Sequence, residues 1–156
     1  MPYLQPSDYA SYGLPDSTTA DWVTAATSLI NTFCRRPNLN ITQYTERLRL
    51  TEGSQCARLS YLPLASLADA ASPIVSVQAR YARPRRGEIP EQPLWDIAWA
   101  FALPGQWIAL DVSQLDFDPR TGELTLRNNV MGLPYNEIEV TYTAGLAEIG
   151  DDIKSA

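Results

Sequence analysis

Residues 19–37 read Thr-Ala-Asp-Trp-Val-Thr-Ala-Ala-Thr-Ser-Leu-Ile-Asn-Thr-Phe-Cys-Arg-Arg-Pro, and the character of the chain changes at that proline. Before it, Trp22, Val23, Ala26, Leu29, Ile30 and Phe33 recur at the intervals that gather apolar side chains on one face of a helix. Thr18 with Asp21 fits a capping box, Arg35 and Arg36 suit the negative carboxyl end, and Pro37 has no N–H with which to continue. The spacing predicts an amphipathic helix from about Thr19 to Arg35, with Trp22, Ile30 and Phe33 in the core. Beyond Pro37, alternation and turn punctuation replace that period, which is the mark of strands.

Toward the amino terminus, Pro6 to Tyr12 reads as a short helical turn closed by Gly13. In the other direction, Ile41 to Leu50 is rich in strand-forming residues, and Glu52-Gly53-Ser54 is expected to turn it into Ala57 to Leu62 as a hairpin. Pro73 to Tyr81 starts with proline at a strand edge and continues strand-like. A Pro-, Arg- and Glu-rich loop spans Arg83 to Pro93. Trp95 to Leu103 and Trp107 to Val112 are read as two short strands parted by the Pro104-Gly105 turn signal. Asp118-Pro119-Arg120-Thr121-Gly122 joins Leu115–Phe117 to Glu123–Leu126, since proline presets one turn dihedral and glycine supplies the permissive one.

Glu137 to Thr143 alternates as a half-buried strand, with Val140 and Tyr142 in the core, and Gly145 ends it. Gly150 to Ala156 resembles the first turn of a helix, with Asp151 and Asp152 where the positive dipole end favours acids. The expected fold is α+β: an amino-terminal amphipathic helix, a large antiparallel β-rich insertion of sandwich or barrel type, and the start of a carboxyl-terminal helix. One domain is expected over residues 1–156, divided into a helical part (1–37), a β-rich part (38–145) and a tail (146–156).

Composition narrows the chemistry. The 156 residues carry 18 acidic and 12 basic side chains, a net charge of −6, and no histidine. Histidine is the commonest general base and metal ligand, so serine–histidine and cysteine–histidine nucleophile pairs are excluded within this chain. Cys34 and Cys56 are too few and too isolated for structural zinc and are expected to be reduced, partly buried small hydrophobes, with a disulfide between them as the alternative. No apolar stretch approaches the roughly 18 residues that span a bilayer, and the amino terminus has no signal-like core, so a soluble protein not secreted by the usual route is expected. The charge is unevenly distributed: −3 over residues 1–34, +6 over 35–86 and −9 over 87–156. Intramolecular pairing among solvated loops is one reading of that pattern, and complementary faces on neighbouring copies is the other.

Three constellations invite a function. Arg80, Arg83, Arg85 and Arg86 form the densest basic cluster, suited to bidentate pairing with carboxylates of an adjacent subunit or with phosphates; exposed, merely solubilising arginines are the alternative. Trp95, Trp99 and Trp107 lie close in sequence. Trp95, Ile97, Trp99 and Phe101 would share one strand face, which places Trp99 in the core, although an exposed tryptophan would suggest glycan binding. Asp116, Asp118 and Glu123 surround Gly122 but lack the ligand spacing of a calcium loop. No catalytic residue, cofactor or metal is expected.

The order of these pieces resembles the head–tail connector (adaptor, or head completion) family of tailed bacteriophages. The resemblance rests on Tyr3-Leu4 through Asp8 with Tyr12-Gly13-Leu14, on Ala25 to Cys34, and on Val140-Thr141-Tyr142-Thr143-Ala144-Gly145 leading to Asp151 through Ala156. Tyr44-Thr45-Glu46-Arg47 and Pro73 to Val77 look like strand starts of longer members. Gly150 departs from the proline often found before the final helix. The resemblance implies a structural virion protein, not an enzyme, located in the neck and assembled in the host cytoplasm. It also implies a dodecameric ring between the portal protein and tail or neck proteins, around the channel through which DNA passes. The runner-up is a phage tail or baseplate module that binds a glycan or host receptor. Reversing the charge at Arg83, Arg85 and Arg86 together is expected to weaken ring or virion assembly more than folding; unchanged assembly in the triple variant would remove the cluster from the interface.

Overall fold

The structure is a computed structural model that describes residues 2–50, 55–67, 70–80, 105–127 and 135–155. It is a mixed α+β chain whose residues group into two compact units, 1–42 with 145–156, and 43–144. The loop at 83–93, the strand expected at Trp95 to Leu103 with its core residue Trp99, and the turn at 52–54 lie outside the described residues.

In the first unit, 3₁₀ turns at Pro6–Asp8 and Ala10–Tyr12 end at Gly13, whose φ of 68° is the left-handed conformation anticipated there. Helix α1 runs Ala20–Phe33. Its cap is Thr19, in extended backbone with no side-chain bond to the first turn, so the expected capping box at Thr18 does not form. The helix starts one residue too late for Thr18 to occupy the cap position. At the other end Arg35 adopts φ 52°, its N–H donates to the Thr32 carbonyl at 3.1 Å, and the Arg36 N–H donates to the Asn31 carbonyl at 2.9 Å. That is a Schellman stop with arginine in the place usually taken by glycine. It ends the helix at Phe33, before Pro37 is reached.

Burial of α1 corrects the sequence reading. Only Val23 and Thr27 are buried and Ile30 is half-buried, whereas Trp22 and Phe33, expected in the core, are 76% and 90% exposed. The apolar residues of this helix fall into two adjacent stripes, Val23–Thr27–Ile30 and Trp22–Ala26–Leu29–Phe33, and the unit packs on the first. Tyr3 anchors that contact: its N–H donates to the Thr27 hydroxyl at 3.4 Å, while its own hydroxyl accepts from the Leu39 N–H at 2.8 Å and donates to the Asn31 side chain. Cys34, expected to be partly buried, is exposed because it caps the helix on the solvent side.

Residues 145–156 return to this unit. Asn40 and Leu146 form a parallel bridge, with the Leu146 N–H donating to the Leu39 carbonyl at 2.8 Å, and a short helix α2 spans Asp151–Lys154.

The second unit holds the sheets. Strands β1 (Thr42–Arg49), β3 (Ile74–Arg80), β4 (Ile108–Leu110) and β7 (Glu137–Ala144) form a four-stranded sheet in the order β1-β7-β3-β4. Strands β2 (Cys56–Arg58), β5 (Asp116–Asp118) and β6 (Glu123–Thr125) form a three-stranded sheet in the order β2-β6-β5. The pairings β3–β7, β3–β4, β2–β6 and β5–β6 are antiparallel. The β5–β6 hairpin forms as the Asp118–Gly122 turn predicts: Gly122 takes φ 68° and its N–H donates to the Asp118 carbonyl at 2.8 Å.

One expectation fails here. The hairpin joining β1 to the segment after Ser54 does not form, because β2 pairs with β6 in the other sheet. Strand β7 lies between β1 and β3 and alternates as expected through its middle: Ile138, Val140, Tyr142 and Ala144 are all 0% exposed, while Glu139 and Thr141 are only partly covered. The alternation is lost toward its ends, where Glu137 and Thr143 are also buried. Val140 and Tyr142 are core residues as expected, in one cluster with Val77, Leu59, Leu64 and Leu124 that draws on both sheets.

Gly145, just after β7, takes φ 145°, and a Cβ there would meet the Asn40 carbonyl and approach the Ile41 nitrogen to 2.6 Å. Neither backbone group can yield without breaking the Leu39–Leu146 connection. Gly145→Ala is therefore expected to lower unfolding free energy by about 2–4 kcal/mol, read from urea denaturation.

Candidate interaction surfaces

No cluster of three or more acidic or cysteine side chains disposed to hold a metal occurs among the described residues, and none of their helices is long and apolar enough to cross a membrane. Two features stand out instead, one in each unit.

The first is the outer stripe of α1. Trp22, Ala26, Leu29 and Phe33 are all exposed, and Leu29 is 72% so. Three large apolar side chains on one exposed helix face are unusual, since single exposed hydrophobics are common but contiguous apolar patches mark interaction sites. Beside the stripe opens an apolar groove of about 330 Å³, lined by Leu14, Trp22, Val23, Ala26, Ile30 and Ile153 among others. The Tyr12 hydroxyl, at its rim, donates to the Asp151 carboxylate at 2.6 Å, and that hydrogen bond raises the tyrosine's pKa above its ordinary value. The bond ties α2 to the second 3₁₀ turn and so fixes one end of the groove.

The second feature is a polar array on the four-stranded sheet. Arg80 on β3 lies directly opposite Glu137 on β7, and its Nε donates to the Glu137 carboxylate at 2.6 Å. Arg47 on β1 approaches the other carboxylate oxygen at 3.6 Å. Both guanidinium groups also sit over the Trp107 ring, 4.8 Å (Arg47) and 4.5 Å (Arg80) from its centre, within cation–π range. Glu137 is only 8% exposed, so its charge depends on these two partners.

Of the basic cluster singled out in the sequence, Arg80 is thus engaged within its own chain, its side chain 22% exposed. Arg83, Arg85 and Arg86 lie outside the described residues. The array's other members, Arg47, Glu137 and Trp107, carry no sequence signal that would bring them together, since Glu137 reads as one more outward-facing residue of an alternating strand.

Under the sheet, Tyr142 donates its hydroxyl to the Glu46 carboxylate at 2.9 Å and accepts from the Tyr61 N–H at 3.2 Å. Burial, reinforced by the neighbouring Glu46, holds this hydroxyl far above the usual phenol pKa, so it is a hydrogen-bond donor and not an acid–base group at physiological pH. Tyr44 stacks on Tyr61 at 4.1 Å and tilts against Tyr142 at 5.9 Å, completing an aromatic layer. At the β5–β6 turn, the Arg120 N–H donates to Asp118 at 2.8 Å, which holds that carboxyl below its ordinary pKa and accounts for one of the acids considered as a calcium ligand.

A scan of the chain against protein-family models found no match, and neither did a search of curated proteins.

Removing the shared carboxylate of the array leaves two arginines facing each other across a partly buried strand end. Glu137→Ala is expected to cost about 2–4 kcal/mol of stability and to shift tryptophan fluorescence through Trp107, as measured by denaturant titration followed at both far-UV ellipticity and emission.

Proposed function

We propose that this protein is a structural assembly subunit, a head–tail connector that closes into a ring between portal and tail components around the DNA exit channel. The observation that carries this reading is the uncovered apolar face of α1, where Trp22, Leu29 and Phe33 stand in solvent. Such a face is stable in water only at a cost of about 25 cal/mol for each Å² left exposed, and covering it by another protein recovers that free energy. An assembly protein gains from this arrangement and an isolated binding domain does not.

The resemblance of the amino-terminal segment, α1 and the Val140–Gly145 strand to connector proteins supplies the kind of assembly. The two antiparallel sheets would form the body of the subunit, and ring closure would use head-to-tail contacts, in which one face meets a different face of the next copy. Arg83, Arg85 and Arg86 are the candidates for the charged part of that contact. DNA would pass without being held: a net charge of −6 opposes the phosphate neutralisation on which tight binding depends. The glycan-binding alternative gains little from Trp107, whose ring is engaged by two guanidinium groups in place of a sugar face.

Native mass spectrometry of the protein with and without a portal protein tests the reading. A ring that forms on, or is stabilised by, the portal is the expected result. Failure to bind portal under assembly conditions, with mass unchanged, would overturn it.

A further inference from the structure

Trp22, Ala26, Leu29 and Phe33 follow one another at intervals of four, three and four residues along the exposed side of α1. This is the spacing of a two-helix seam, in which each side chain settles between those of the facing helix. If a second α1 lies antiparallel to the first, about a two-fold axis beside Thr27 and Ser28, Trp22 faces Phe33 and Ala26 faces Leu29. Aromatic then meets aromatic at both ends, and small meets large in the middle. A parallel pair would set Ala26 against Ala26 and leave a gap there.

Charge selects the same arrangement. Within Ala20–Phe33 the only charged residue is Asp21, so no charge interrupts the seam. The acids Asp16 and Asp21 lie at the amino end, and the exposed Arg35 follows the carboxyl end. Antiparallel packing brings the acids of one copy alongside Arg35 of the other and opposes the two helix dipoles, whereas parallel packing brings like beside like.

The area is sufficient for a weak pair. At the exposures of Trp22, Leu29 and Phe33, and with roughly 150–250 Å² for a large aromatic side chain, the stripe offers on the order of 450 Å² per copy. Doubled, that approaches the roughly 1,000 Å² at which specific interfaces begin. The partner's Phe33 would also land beside Trp22 and Ala26, which border the apolar groove, and so gains a receiving concavity.

We propose that the free protein pairs with a second copy of itself through α1, antiparallel across this stripe. The pairing does not rest on the connector reading. A two-fold contact differs in symmetry from the head-to-tail contact of a ring, and a subunit paired in this way keeps its α1 face closed until the pair separates.

Sedimentation velocity of the full chain over a concentration series should show a monomer of 17.3 kDa giving way to a species of twice that mass. Leu29→Glu should weaken the association by about ten-fold or more while leaving the thermal melt unchanged, because Leu29 is already exposed in the monomer. Asp21→Lys and Arg35→Glu should each weaken it, and combining them should restore it. Orientation is read with Ala26→Cys and Leu29→Cys, each made with Cys34→Ser and Cys56→Ser: on oxidation, the mixture of the two should cross-link and neither alone should. Self-cross-linking of either variant overturns the antiparallel arrangement. A protein monomeric at every concentration, or a dimer indifferent to Leu29→Glu, overturns the pairing itself. A ring that forms on portal protein in either of those cases would leave the connector reading standing.

Discussion

Tyr142 is 0% exposed at the middle of β7, and a tyrosine can be buried whole only where its hydroxyl finds partners. Glu46 on β1 accepts from it and the Tyr61 backbone donates to it, so one side chain draws the outer strand and the segment following β2 onto the central strand. The aromatic layer of Tyr44 and Tyr61 fills the space that these bonds define. Next to it, the Thr143 hydroxyl donates to the Ala65 carbonyl at 2.6 Å and the Thr143 N–H donates to the Pro73 carbonyl at 2.8 Å, which pins the start of β3 to the same strand. The requirement to satisfy the polar atoms buried on this central strand thus organises much of the second unit.

The fold also recasts the segregation of charge along the chain. Arg47 and Arg80 belong to the basic middle and Glu137 to the acidic end, and the sheet brings them together in one array over Trp107. Part of the imbalance is therefore resolved inside the chain, in line with the intramolecular reading of the pattern.

Features set by local chemistry were legible in the sequence. The approximate span of α1, the Asp118–Gly122 hairpin, the strands at Ile74 and Glu137, and the helical turn at Asp151 all follow from period and turn residues, which act over a few neighbours. Features set by partners were not. The turn at Glu52 to Ser54 signals a reversal of the chain but not the strand that will receive it, and β2 goes to β6. Two apolar stripes on α1 look alike in sequence, yet Tyr3 and Thr27 decide which of them is packed, and Trp22 and Phe33 are left outside. Arg80 reads as part of a basic run until the β3–β7 register sets it opposite Glu137. For the candidate surfaces, the composition of α1 was readable and its exposure was not.

The order of the four-stranded sheet carries a consequence for synthesis. Its central strand is the last of the four to be made, and Thr45 on β1 reaches its hydrogen-bonded neighbour Thr141 on β7 only across 96 residues. Until Glu137–Ala144 has left the ribosome, β1 and β3 each lack the strand that lies between them in the sheet. A nascent chain of this protein must carry strand edges unpaired through most of its translation, which favours slow, late closure and makes that interval the one in which it is most exposed to aggregation.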